Sequence, residues 1–69
     1  MTVIEFVRRQ TLPAKGTAYP VEVLRQVYQH RTHERIGRTR FAAELGFAGV
    51  ELVEARPPHG ILALDCTLV

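Results

Sequence analysis

Only one cysteine, Cys66, occurs in the 69 residues. An internal disulfide is therefore excluded, and with it the frameworks that staple many small secreted domains. Paired ligands on two sides, the usual mark of a structural zinc site, are also missing. His30 and His33 stand three apart, and His59, Asp65 and Cys66 could join them only as an unmatched set, so no metal and no other cofactor is expected. No apolar run approaches the ~18 residues of a membrane helix. The opening "MTVIEFVRR" carries its basic pair behind a short apolar stretch, the reverse of a secretory signal. A cytoplasmic protein without a membrane partner is the expectation.

Phosphate-cradling loops are lacking as well. "LPAKGTAYP" holds Lys15 and Gly16 without P-loop spacing. No repeat or low-complexity tract is visible. Cys66 lies between apolar neighbours, Leu64 and Leu68, which suits a small core residue better than an activated nucleophile. A chain this short leaves little room for an enclosed substrate pocket. Neither enzymatic activity nor a small-molecule substrate is expected.

What the chain does have is arginine. Arg8, Arg9, Arg25, Arg31, Arg35, Arg38, Arg40 and Arg56 stand against one lysine, Lys15, with a net charge of +2 and a sequence pI of 9.2. The planar fork of guanidinium donors suits phosphate and carboxylate alike. Four arginines and two histidines fall within "HRTHERIGRTR", residues 30 to 40. The apolar fraction, 46 %, is that of a globular chain. One small domain over residues 1–69 is expected, close to the limit of independent stability. An oligomer or a protein partner is the usual remedy for a domain of this size.

Residues 2–9, rich in Val, Ile and Phe, read as a strand with apolar residues on both faces. "QTLPAKGTAYP", with two prolines and a glycine, reads as a long loop. Pro20 opens a helix whose stripe is Val21, Leu24, Val27 and Tyr28. This helix ends either near His30 or, the favoured reading, runs through Glu34–Ile36 to a left-handed cap at Gly37. A second helix follows, with Thr39 as N-cap, Phe41, Ala42 and Leu45 on one face, and Gly46 at its end. "GVELVEA" alternates, and Val50 and Val53 favour a strand. "RPPHG" then becomes a hairpin loop, and "ILALDCTLV" the last strand.

The expected fold is α+β, in the order β-α-α-β-β, with a small antiparallel sheet. The alternative is a helix-turn-helix three-helix core with two flanking strands. Ala42, Gly46 and Leu52 carry the spacing of that motif, but its second helix would present Glu51 and Glu54 to a polyanion. Over residues 20 to 69 the order strand, helix, helix, hairpin resembles a winged-helix module, without that module's usual first helix. "FAAELGFAGVEL" is also similar to a helix-to-strand joint of sugar-isomerase barrels. The chain is far below the ~200 residues of such a barrel, so only the local helix-then-strand preference carries over.

In the winged-helix arrangement the helix before the hairpin enters the groove. Arg31, Arg35, Arg38 and Arg40 would contact phosphates near its start, and Arg56 and His59 at the hairpin tip. The chain is then a DNA-binding transcriptional or accessory regulator. Residues 30–40 read equally as a solvated connection in which Arg31, Arg35 and Glu34 pair among themselves. A second functional class is a protein-interaction module or inhibitor, acting as an oligomer through strands apolar on both faces.

Overall fold

The computed structural model describes residues 1–56 and 60–69. Its elements, in chain order, are α1 (Val3–Gln10), β1 (Thr11–Pro20), α2 (Val21–Thr32), α3 (Arg38–Phe47), β2 (Glu51–Glu54) and β3 (Ile61–Leu68). The strands form one antiparallel sheet in the order β1-β3-β2. The fold is a small α+β domain of three helices and a three-stranded sheet, with the order α-β-α-α-β-β instead of β-α-α-β-β.

The first correction is α1. Residues 2–9 carry strand-forming side chains, yet they coil. Thr2 caps the helix by accepting a hydrogen bond from the Glu5 backbone N–H at 3.1 Å. Glu5 lies in the first turn and Arg8 and Arg9 in the last, each sign matched to its end of the helix dipole. Val3, Phe6 and Val7 make an i, i+3, i+4 stripe, and Val3 and Phe6 are buried. Burial of that stripe outweighs β propensity, a weak force beside tertiary packing.

The second correction is β1, where a loop was expected. Its prolines are tolerated because β1 is an edge strand, paired only with β3, and an edge leaves N–H positions that need no partner. Thr11, Leu12 and Pro13 pair with Leu68, Thr67 and Cys66, and pairing resumes at Ala18↔Leu64. Between the two registers the strand swells outward. Asp65 sits opposite in the left-handed region, φ 56°, and accepts a hydrogen bond from the Gly16 N–H at 2.8 Å. Replacing Asp65 by alanine removes that acceptor and places a side chain poorly suited to positive φ there. A loss of about 1–2 kcal/mol is expected. Asp65→Asn, which keeps an acceptor and tolerates this backbone, should melt close to the parent; equal thermal midpoints for the two variants would contradict the clasp.

The core lies between the helices and the inner sheet face. It comprises Val3, Phe6, Val21, Leu24, Tyr28, Phe41, Leu45, Ala63 and Cys66, and among the described residues no charged or polar side chain is buried in it. Tyr28 stands at its centre. Its ring meets Phe6 edge-on at 5.4 Å and Phe41 at 5.5 Å, so one residue of α2 joins α1 to α3. Ala63 and its neighbours in register, Tyr19 and Leu52, face inward. By alternation, Leu62, Leu64, Ala18 and Val53 lie on the outer face, away from the helices.

The last two elements follow the hairpin reading. Gly49 turns the chain after α3 at φ 90°, and the Val50 N–H donates to the Leu45 carbonyl at 3.1 Å. Residues 51–54 are strand β2, so the second helix of the helix-turn-helix alternative, over "AGVELVEARPP", does not form. The Ala55 N–H closes the hairpin onto Gly60 O at 2.7 Å.

Candidate nucleic-acid interface

The arginines near Gly37 are positioned by the connection between α2 and α3. α2 stops at Thr32, not near Gly37, and His33 takes the left-handed cap with φ 60° and ψ 21°. The reason lies in side chains that offer residues 33–36 an alternative to helix. The Thr32 hydroxyl donates to Tyr28 O at 2.8 Å, and Gln29 Oε1 accepts from the Ile36 N–H at 2.9 Å. Arg25 donates to Ile36 O at 2.9 Å. The Tyr28 hydroxyl lies 3.0 Å from Glu34 Oε2. Burial, and next the Glu34 carboxylate, raise the tyrosine above its ordinary pKa, so it stays a neutral donor. Four side chains thus fix the angle at which α3 leaves α2.

Gly37, not Thr39, is the N-cap of α3, and no side chain caps the helix. Its first turn holds no acid. Arg38 and Arg40, two residues apart, project about 200° apart around the helix axis. Arg38 Nε reaches Glu22 Oε2 of α2 at 3.3 Å, and Arg40 Nε lies 3.9 Å from Glu44 Oε2. Both pairs are loose, and the two arginine side chains remain 78 % and 77 % exposed. Such pairs are worth little in water, which leaves both guanidinium groups available to a stronger anion.

The other expected residues are distributed as follows. Arg35 shares with Arg40 a shallow cleft of about 240 Å³ beside Thr2, Glu34 and Glu44. Arg31 turns away and donates to Gln10 at the end of α1. Arg56 is exposed in the hairpin loop, and His59 lies outside the described residues. The cluster is therefore not one patch. Arg38 occupies one flank of α3, Arg35 and Arg40 the other, Arg31 a third position and Arg56 the hairpin.

Between the flanks runs a stripe that composition alone did not single out: Thr39, Ala43, Gly46 and Phe47, all exposed. Its signal was available, because once Phe41 and Leu45 define the buried side, the opposite side of a 3.6-residue helix follows. Phe47 stands out at 84 % exposure.

Glu22 borders the Arg38 flank. It accepts from two of the three Arg25 nitrogens, Nη2 at 2.5 Å and Nε at 3.0 Å, and holds Arg38 beside them. The hydrogen bonds from Arg25 first, and the charge of Arg38 after them, hold its carboxyl below the ordinary glutamate value. A depressed folded pKa means a stabilising contribution that is present above the unfolded value and lost as pH falls through the folded one. Glu22→Gln is expected to lower the melting temperature at neutral pH, with the gap to the parent closing in acid. A gap that stays constant with pH would exclude the ion pairs as its cause.

Elsewhere, His30 and His33 line an open depression with Gln29, Glu34 and Arg35. Among the described residues no group of three His, Cys, Asp or Glu side chains could hold a metal ion. Cys66 is buried and its thiol is raised in pKa, first by burial and then by Asp65. A cleft of about 520 Å³ is bordered by Val7, Arg8, Leu12, Val50, Leu64 and Asp65, and none of the arginines from Arg31 to Arg56 lines it. Among the described residues no helix is long and apolar enough to cross a membrane. The chain matches no family model, no curated protein and no solved structure.

Proposed function

We propose that the chain is a non-enzymatic DNA-binding protein of winged-helix type, a cytoplasmic transcriptional or accessory regulator that lays α3 in the major groove. One observation carries the reading: Arg38 and Arg40 leave opposite flanks of the first turn of α3, largely exposed, with small side chains between them. A major groove is about 12 Å wide and walled by two phosphate backbones. A helix in it needs cations on both sides and little bulk in the middle. The flank-and-stripe geometry fits that demand better than a single basic patch does.

The element order supports the same reading. Helix, strand, helix, helix, hairpin, with the first strand beside the last, is compatible with a winged-helix module, in which α1 would serve as the first helix. The uncapped N–H groups at the start of α3 can donate to a phosphate alongside Arg38. Arg56, exposed beside the hairpin, would meet the neighbouring backbone. Arg35 would add a contact on the Arg40 side, and Arg31, held by Gln10 at the end of α1, would meet a phosphate farther along the backbone.

Fluorescence anisotropy with a labelled duplex of about 20 base pairs tests the reading. Binding is expected at about 50 mM salt, weakening steeply as salt rises, with a log–log slope of about −3 or steeper. Absence of binding at the low-salt end rejects it.

A second reading rests on the outer sheet face. Leu62 and Leu64, half-buried, are flanked by Ala18 and by Val53 at 38 % exposure, with Glu51 opposite Leu64 at the edge, and form a short apolar strip on the side that the helices leave bare. We propose self-association through this strip as the alternative, and it is compatible with DNA binding, since paired modules read repeated half-sites. Sedimentation velocity decides: a single monomeric species across the accessible concentration range disposes of it.

A further inference from the structure

We propose that the outward stripe of α3 reads thymine methyl groups, with Phe47 as the principal specificity residue; this rests on the DNA-binding reading above. The basis is what the stripe contains and what it leaves out. Thr39, Ala43, Gly46 and Phe47 are exposed and face away from Phe41 and Leu45, which are buried. Among them only the Thr39 hydroxyl can hydrogen-bond a base edge. The fork-shaped donors and amides that identify guanine or adenine are absent from the stripe. The arginines that could supply such forks are drawn to the flanks, Arg38 toward Glu22 and Arg40 toward Glu44.

A groove surface read without hydrogen bonds must be read by apolar contact. In the major groove the 5-methyl of thymine is the apolar feature of the unmodified bases, and alanine, the threonine methyl and phenylalanine are the side chains that meet it. Phe47 has no role in the core: its ring is 84 % exposed. Ala43 and Gly46 keep the surface low, and a Cβ built on Gly46 would meet nothing within 4 Å, so the fold itself does not demand glycine there. Low bulk on the first turns and one large ring at the last turn let the helix sit deep while the ring spreads over adjacent methyls. The occupant is specified by charge as well: an apolar stripe bordered by cations on both sides suits a polyanion with an apolar feature at the bottom of its groove.

The experiment uses two duplexes of identical length, alternating dA-dT and alternating dA-dU. Deoxyuridine retains every hydrogen-bonding group of thymidine and lacks only the methyl. The unmutated protein is expected to bind the thymine duplex more tightly, by about fourfold for each methyl buried. Phe47→Ala, whose circular dichroism and melting should match the parent because the ring is outside the core, is expected to bind both duplexes with the weaker affinity. Equal, salt-dependent binding of the unmutated protein to both duplexes overturns the inference but leaves the DNA-binding reading standing. Binding to neither duplex overturns both.

Discussion

Phe41→Ala is expected to leave the chain largely unfolded at room temperature. Phe41 is fully buried, and its ring packs on Tyr28 at 5.5 Å, at the point where α3 joins the rest of the core. Truncating a buried phenylalanine costs about 3–5 kcal/mol. A domain of this length has only about 3–10 kcal/mol in hand, at the usual stability per residue. No disulfide holds the chain after the core loosens, since Cys66 is the single cysteine. Far-UV circular dichroism and a urea titration read the outcome. Phe47→Ala supplies the comparison, because it removes the same side chain from the same helix six positions later. That ring contributes nothing to the core, and its loss should change stability by less than about 0.5 kcal/mol. A Phe41→Ala protein with the parent's urea midpoint would mean that α3 is not anchored through Tyr28.

The contrast between those two phenylalanines shows what could be read from the sequence and what could not. The buried stripe of α2, the helix around Phe41 and Leu45, and the strands that pair residues 51–54 with 61–64 follow from periodicity, which is local. The start of the chain does not. "TVIEFVRR" satisfies a strand by composition and a helix by its Val3–Phe6–Val7 spacing and by Thr2 and Glu5, which stand in capping-box positions. The decision came from the core, which had room for a helical stripe against Tyr28. Residues 11–20 failed in the opposite sense. Two prolines and a glycine signal a loop, unless the segment is an edge strand with a bulge, and edge position is a property of the whole sheet. The end of α2 was misplaced because Gly37 is a plausible cap by type, whereas Thr32, Gln29 and Arg25 compete for the backbone before it is reached. For the site, the arginines were legible as residues but not as an arrangement. Positions 38 and 40 look adjacent in the sequence, yet a helix sends them to opposite flanks.

Arg38→Ala combined with Arg40→Ala is expected to weaken DNA binding by about a hundredfold or more at low salt, since each of the two hydrogen bonds to a charged group is worth about 1.5–3 kcal/mol. Each side chain lost should also flatten the salt slope by about one unit. Both side chains are more than three-quarters exposed, so the double variant should melt like the parent, which separates the effect from folding. The arrangement predicts more than a loss. If the two guanidinium groups grip different backbones across one groove, they share no phosphate, and their single-variant penalties should add to within about 0.5 kcal/mol of the double. If instead they converge on one phosphate, either single variant removes most of what the double removes. Arg38→Lys and Arg40→Lys keep the charge and should retain the slope while losing part of the affinity, because a lysine is a point charge without the fork. Glu22 supplies an internal check on the same flank: Glu22→Gln removes the carboxylate that competes for Arg38 and repels phosphate, so it should tighten binding in the parent and have a smaller effect when residue 38 is alanine. Penalties that fail to add, together with a Glu22 effect indifferent to residue 38, would show that α3 does not straddle the duplex as its flanks suggest.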